Sequence, residues 1–119
     1  MKPNYVLRAW REKRQTLGAW ISLPTSVGAE IMAHAGFDWV CVDLQHGLID
    51  YKDMLPMLQA ISTTSTVPFV RVTWNDTAEI NKVLDAGAQG VIVPLVNTAD
   101  DARMAYGHPG LALWQEFPG

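Results

Sequence analysis

Short runs of β-branched and aromatic residues alternate along this chain with stretches whose apolar residues recur every three or four positions. With Gly, Pro, Asn and Asp at the junctions, that alternation predicts βαβ units on a parallel sheet. The first helical stretch runs from Asn4 to about Arg14 and sets Val6, Leu7 and Trp10 on one face and the basic residues on the other. A strand over Gly18–Ser22 follows. Pro24, Thr25 and Ser26 open a helix in which Val27, Ile31 and Ala35 repeat every four residues, and Gly36 supplies its C-terminal cap. The second strand spans Asp38–Asp43. Asp50 caps the next helix, with Met54, Leu55, Leu58 and Ile61 as its buried stripe. A third strand, Pro68–Val72, leads to Asp76, which with Glu79 three residues later reads as a capping-box start. Ile80, Val83 and Leu84 then face inward, and Gly87 ends that helix. The fourth strand is Gly90–Pro94, and Asn97 or Thr98 caps a last helix from about Ala99.

An internal repeat sharpens this pattern. Residues 35–43 and 86–94 share A-G-x-x-x-V-x-V-x at an offset of 51 residues. Each period holds two strand–helix pairs, about 25 residues per pair, and eight such pairs reach the size of a (β/α)8 barrel, roughly 250 residues with insertions. Four units therefore make half a barrel. A flavodoxin-like open sheet has the same local signals and fits 119 residues without a missing half, so it stands as the alternative.

Composition narrows the function classes. At 49 % hydrophobic and 18 % charged residues the chain is too apolar for a disordered segment. Charge is uneven: Lys2, Arg8, Arg11, Lys13 and Arg14 against Glu12 give the first fourteen residues +4, which leaves −7 for the rest of a chain whose formal net charge is −3. An acidic body argues against a nucleic-acid partner. Glu12 within the basic start and the lack of a following apolar segment argue against a leader, and no apolar run is long enough to cross a bilayer, so a cytoplasmic protein without a membrane partner is expected. Cys41, the single cysteine, sits in a strand-like run and reads as an inert core thiol.

In either parallel architecture the polar residues that matter lie at the C-terminal ends of the strands. His46 falls just past the second strand, beside Gly47 and three residues after Asp43, and is either a proton carrier or a histidine that satisfies a loop carbonyl. Arg71 lies within a valine-rich strand, where a guanidinium is costly unless an anion meets it. That anion is a ligand carboxylate or enolate, or else Asp43 on the neighbouring strand; the two are compatible if the pair holds the arginine for a ligand. Asp85 ends a helix against the macrodipole, as a carboxylate with a specific partner or a solvated one. Trp20, at a strand end, lines a pocket or fills the core. His34 and His108 read as structural, and Asp50, Asp76 and Thr98 as caps. No glycine-rich phosphate loop or nucleophile elbow occurs.

The blocks Gly36–Val40, Val42-Asp43-Leu44-Gln45-His46-Gly47, Pro68–Asp76 and Lys82–Thr98, in this order, closely resemble the HpcH/HpaI aldolase family, metal-dependent class II pyruvate aldolases. The resemblance runs from about Leu17 to Arg103. It implies a (β/α)8 barrel of which this chain carries the N-terminal half, and reversible aldol cleavage of a 4-hydroxy-2-oxo acid to pyruvate and an aldehyde. By the same resemblance His46 is the catalytic base, Arg71 binds the pyruvyl oxygen and stabilises the enolate, and Asp85 raises the basicity of the histidine. Asp43 orients the histidine from behind, and Gln45 stands where many members carry Glu. Apart from the resemblance, Trp20 is taken as a supporting or substrate-binding residue. A divalent cation, Mg²⁺, Mn²⁺ or Co²⁺, is implied, with its Glu and Asp ligands in the second half of the barrel and none within this chain. A small oxo-acid substrate and a homo-oligomer are expected.

After Arg103 the resemblance stops. Residues 1–103 are therefore expected to form a partial barrel and 104–119 an irregular, divergent tail, as in a truncated or frame-shifted member of the family. The non-enzymatic alternative is an inactive half-barrel, or a module that associates through its open edges.

Overall fold

A computed structural model describes residues 2–107. Helix α1 (Tyr5–Arg11) begins where the Asn4 side chain accepts the Leu7 N–H at 3.0 Å. It is followed by β1 (Gly18–Ile21), α2 (Ser26–Ala33), β2 (Trp39–Asp43), α3 (Tyr51–Ile61), β3 (Val67–Arg71), α4 (Thr77–Asp85), β4 (Gly90–Ile92) and α5 (Ala99–Tyr106). All strand pairs are parallel, and the sheet order is β1-β2-β3-β4. A flavodoxin-like sheet reverses its strand order around the first strand; here the order is sequential, as in a barrel that adds one unit at a time. The fold is thus α/β, four units of a (β/α)8-type barrel.

Each face of the sheet is covered differently. One face packs α2, α3 and α4 through Ala29, Ala33, Met54, Met57, Leu58, Ile61, Ile80 and Val83. On the other, Cys41, Val67 and Phe69 meet Val6, Leu7 and Trp10 of α1, which closes the inner side of the sheet near its N-terminal edge. Lys2 Nζ, bonded to the Ser62 carbonyl and at 3.1 Å to that of Thr64, and Asn4 Nδ2, at 3.0 Å from the Gln89 carbonyl, fasten α1 there. The Trp39 and Phe69 rings stack at 5.1 Å, and Trp10 meets Phe69 edge-on at 6.0 Å. Glycines leave room for this aromatic floor: a Cβ on Gly18 would fall 2.0 Å from the Trp39 ring, and one on Gly90 2.6 Å from Phe69.

The 51-residue repeat has a direct structural meaning. Gly36 and Gly87 both turn the chain out of a helix at positive φ, 96° and 110°, and the paired valines that follow, Val40 and Val42, Val91 and Val93, are all buried. Cys41 is fully buried, and burial first, with the Asp43 charge second, pushes its thiol up to about 12. That agrees with an inert thiol.

Several expectations change. The first helix stops at Arg11, because Lys13 takes a left-handed conformation (φ 57°) and Glu12 bridges Arg8 and Arg14 at 3.0 and 2.7 Å. The Val27–Ile31 stripe of α2 is not the buried one: both are about two-thirds exposed, at 65 % and 66 %, while Ala29 and Ala33 face the core. Small alanines let the helix approach closely. In α3, Met57 takes a place in the buried stripe and Leu55 is partly exposed. Asp76 caps α4 by accepting the Glu79 N–H at 2.8 Å, but no reciprocal box forms; the Glu79 carboxylate instead takes the Thr73 hydroxyl at 2.7 Å. The boundary at residue 103 falls inside α5, which continues to Tyr106, while His108 and the rest of the expected tail lie outside the described residues. Among the described residues no helix is long and apolar enough to cross a membrane.

Candidate active site at the C-terminal edge of the sheet

Register brings the central pair together. Asp43 and Arg71 are the last residues of neighbouring strands and are direct partners in the β2–β3 ladder. Their alternation points both side chains to the face that α1 closes further down. Arg71 Nε donates to Asp43 Oδ1 at 2.9 Å and Nη2 donates to Oδ2 at 2.5 Å, a two-point contact that fits a planar guanidinium to a carboxylate. Asp43 is buried, whereas Arg71 keeps about a fifth of its side chain open (22 %).

Three more donors converge on the same carboxylate. Trp20 Nε1 donates to Oδ2 at 3.1 Å, and the backbone N–H groups of Gln45 and His46 donate to Oδ1 at 2.9 and 3.3 Å. Burial alone would raise the Asp43 pKa; the Arg71 side chain, then Trp20 and the two loop amides, outweigh it and hold the carboxyl well below the usual carboxylate range. Asp43 raises that of Arg71 in turn. The pair is ionised at neutral pH.

The loop carrying His46 is tied at several points. Leu44 N donates to the Arg71 carbonyl at 2.9 Å and Leu48 N to that of Ser22 at 3.1 Å, so residues 44–48 span the ends of β1, β2 and β3. A Cβ on Gly47 would lie 2.9 Å from the carbonyl oxygens of both Asp43 and Ser22, which reserves this position for glycine. Such bracing presents His46 exposed beside the ion pair. The expected contact between Asp43 and the histidine exists, but through the backbone: the imidazole has no hydrogen-bond partner among the described residues, so Asp43 fixes the loop rather than the ring.

Asp85 is not part of this cluster within one chain. It is the last residue of α4, exposed, and lies five residues before β4 begins, at the N-terminal edge of the sheet. In a parallel βα array the end of a helix and the end of a strand occupy opposite edges, and that separation keeps Asp85 from His46.

Sequence reasoning missed the Thr73–Glu79 latch, in which Glu79 also accepts the Thr73 N–H at 3.1 Å and ties the loop after Arg71 to α4. The six-residue spacing of the two was its only signal. It also missed the buried Asn75, whose Nδ2 donates to the Asp101 carbonyl of α5 at 2.8 Å.

A divalent cation does not fit the residues present. Among the described residues no three His, Cys, Asp or Glu side chains lie close enough to hold a metal ion. Asp43, the one buried carboxylate among them, already accepts five N–H groups.

Known proteins resemble this chain over most of its length. The chain is 44 % identical over 100 residues to a hydroxypyruvate/pyruvate aldolase of Rhizorhabdus wittichii, covering 84 % of this chain and 40 % of that protein. It is 41 % identical over 97 residues to a 4-hydroxy-2-oxo-heptane-1,7-dioate aldolase of Salmonella dublin, covering 82 % and 37 %. The fold superposes with a TM-score of 0.80 and 35 % identity on the crystal structure of an HpcH/HpaI aldolase/citrate lyase family protein from Burkholderia cenocepacia, over 87 % of this chain and 41 % of that one. The chain therefore spans about two-fifths of the length of these relatives. Residues 16–108 match the family as a whole, five residues past the limit read from the sequence, and the chain belongs to the HpcH/HpaI aldolase/citrate lyase family.

Proposed function

We propose that this chain carries the oxyanion-binding and proton-transfer part of an aldolase site that cleaves a 4-hydroxy-2-oxo acid to pyruvate and an aldehyde. The observation that carries this reading is the Asp43–Arg71 pair: its guanidinium is held by a buried carboxylate and stays partly open, and the backbone N–H of the exposed His46 donates to that same carboxylate.

Cleavage begins when a base takes the proton of the 4-hydroxyl. As that oxygen becomes the aldehyde carbonyl, the C3–C4 bond breaks and its electron pair moves into the 2-oxo group, giving the enolate of pyruvate, which is then protonated at C3. His46 is the group we assign as base, because an imidazole exchanges protons near neutral pH. Arg71 supplies fixed positive charge to the enolate oxygen as charge develops there. The described residues do not form a cation cage, and in this reading a cation would take its ligands from outside them. Asp85 would have to come from a second copy to act on His46, and a homo-oligomer is part of the proposal for that reason.

Pyruvate release from 4-hydroxy-2-oxoheptanedioate, with Mg²⁺, Mn²⁺ or Co²⁺ added, tests the reading. Turnover that His46→Ala abolishes supports it, and absence of turnover in the unmodified chain overturns it for this polypeptide. The second reading, an inactive half-barrel or self-associating module, is favoured by the outer edges of β1 and β4, which pair with no strand among the described residues.

A further inference from the structure

The Arg71 guanidinium has five N–H donors. Asp43 uses Nε and one proton of Nη2, and among the described residues no acceptor takes Nη1 or the second Nη2 proton, which form the terminal edge. Two hydrogen bonds in one plane fix the guanidinium within that plane but leave it free to tilt out of it. A further contact on the guanidinium restrains that tilt. Trp20 touches both members of the pair: the guanidinium carbon lies over its ring, 4.9 Å from the centroid, while its indole N–H donates to Asp43 Oδ2 at 3.1 Å. The same ring meets Trp39 edge-on at 6.5 Å, which anchors it to the aromatic floor. Trp20 is nonetheless 42 % exposed, so filling the core does not account for it.

We propose that Trp20 is a positioning residue that holds Arg71 so that only its terminal Nη1/Nη2 edge is offered to a ligand. A planar 2-oxo carboxylate fits such an edge, with its oxygens in the guanidinium plane; this ligand class rests on the function proposed above, while the positioning itself does not. Through its ring Trp20 acts on the cation and through its N–H on the anion, and it couples the two.

The exchange rate of the Arg71 Nε proton with water, measured by NMR on the ¹⁵N-labelled 119-residue chain and assigned by its loss in Arg71→Lys, reads the lock directly. Trp20→Leu removes the cation–π contact and the indole N–H together and is expected to speed this exchange about tenfold. Trp20→Phe keeps a ring and loses the indole N–H, and is expected to fall between. Within Asp43→Asn, where the anchor is already weakened, adding Trp20→Phe should produce a smaller acceleration than it does alone. Unchanged exchange in Trp20→Phe and Trp20→Leu, with the amide spectrum intact, overturns the proposal. If Trp20→Leu does not fold, an unchanged rate in Trp20→Phe is sufficient to overturn it. No turnover enters this measurement. Failure of aldolase activity would remove the ligand and leave the lock, whereas an unchanged rate in an active chain would remove the lock alone.

Discussion

Asp43 and Arg71 end adjacent parallel strands in direct register, and the carboxylate of one receives both Nε and Nη2 of the other. Removing the charge of the buried partner leaves a mostly enclosed guanidinium without its counter-ion, and such losses cost about 3 kcal/mol for a partly open pair. Asp43→Asn should lower stability at pH 7 by about that amount, with the urea midpoint as the measurement. The sign of the pH dependence follows from the lowered Asp43 pKa. A carboxyl whose folded value lies below its unfolded value of about 3.9 contributes stability above that pH and loses it as pH falls toward the folded value. The gap between the unmodified chain and Asp43→Asn should therefore be full at pH 6–7 and shrink below about pH 4. A gap that grows on acidification would contradict the assignment.

The aromatic floor rests on two glycines that the alternation of apolar residues marked only as strand starts. Alanine at Gly90 would press on the Phe69 ring, and alanine at Gly18 on Trp39. Overpacking of this kind costs about 1–3 kcal/mol. Gly90→Ala should be destabilised within that range, and Phe69→Leu combined with it should cost less than the two changes summed, because the smaller side chain makes room. Additive costs in that double-mutant cycle would remove the steric explanation.

Repetition predicts similar behaviour at two distant turns. Gly36 and Gly87 hold positive φ with open space around the missing Cβ, so alanine there meets backbone strain and no clash. Each substitution should cost about 1 kcal/mol, and the two should agree within experimental error. A large difference between them would show that the repeat is one of sequence alone.

Much of this fold could be read from the sequence because its signals are local: turn glycines, capping side chains and valine-rich runs lie within a few residues of what they determine. The Asp43–Arg71 contact was legible as one of two partners for the arginine, since two polar residues at the ends of neighbouring strands have few places to go. What the sequence did not reveal is relational. Within one chain Asp85 and His46 lie at opposite edges of the sheet, and nothing near residue 43 says that its carboxylate binds the histidine's amide and leaves the ring alone. Trp20 reads as a strand-end residue, but its contact with both members of the pair depends on a register between β1 and β2 that no local pattern encodes.

Cys41 offers a check on the interior that needs no catalysis. Its thiol is fully buried, and burial pushes its pKa up to about 12, so little reactive thiolate exists at pH 8. Native protein should react with a disulfide reagent only at the rate at which the sheet opens, and completely once unfolded in urea. Fast stoichiometric labelling without denaturant would mean that the α1 side of the sheet is not closed as described.

Val27 and Ile31 form the helical stripe that the four-residue period picked out, and the structure turns it outward because the alternative stripe, Ala29 and Ala33, allows α2 to sit closer to its neighbours. Periodicity identifies an apolar face, but with small residues on a second face it does not say which one packs. The two readings differ sharply under substitution. If the stripe were in the core, Val27→Glu with Ile31→Glu would bury two charges and abolish folding. With both residues exposed, the monomer should keep its urea midpoint within about 0.5 kcal/mol per change. Any concentration-dependent association through this apolar surface should weaken, since charge replaces the area that would be buried on contact. Sedimentation of both forms over a range of concentrations, alongside urea titration, separates the two cases: unfolding of the double variant at low concentration would place the stripe in the core, and a folded variant with reduced association would place it at the surface.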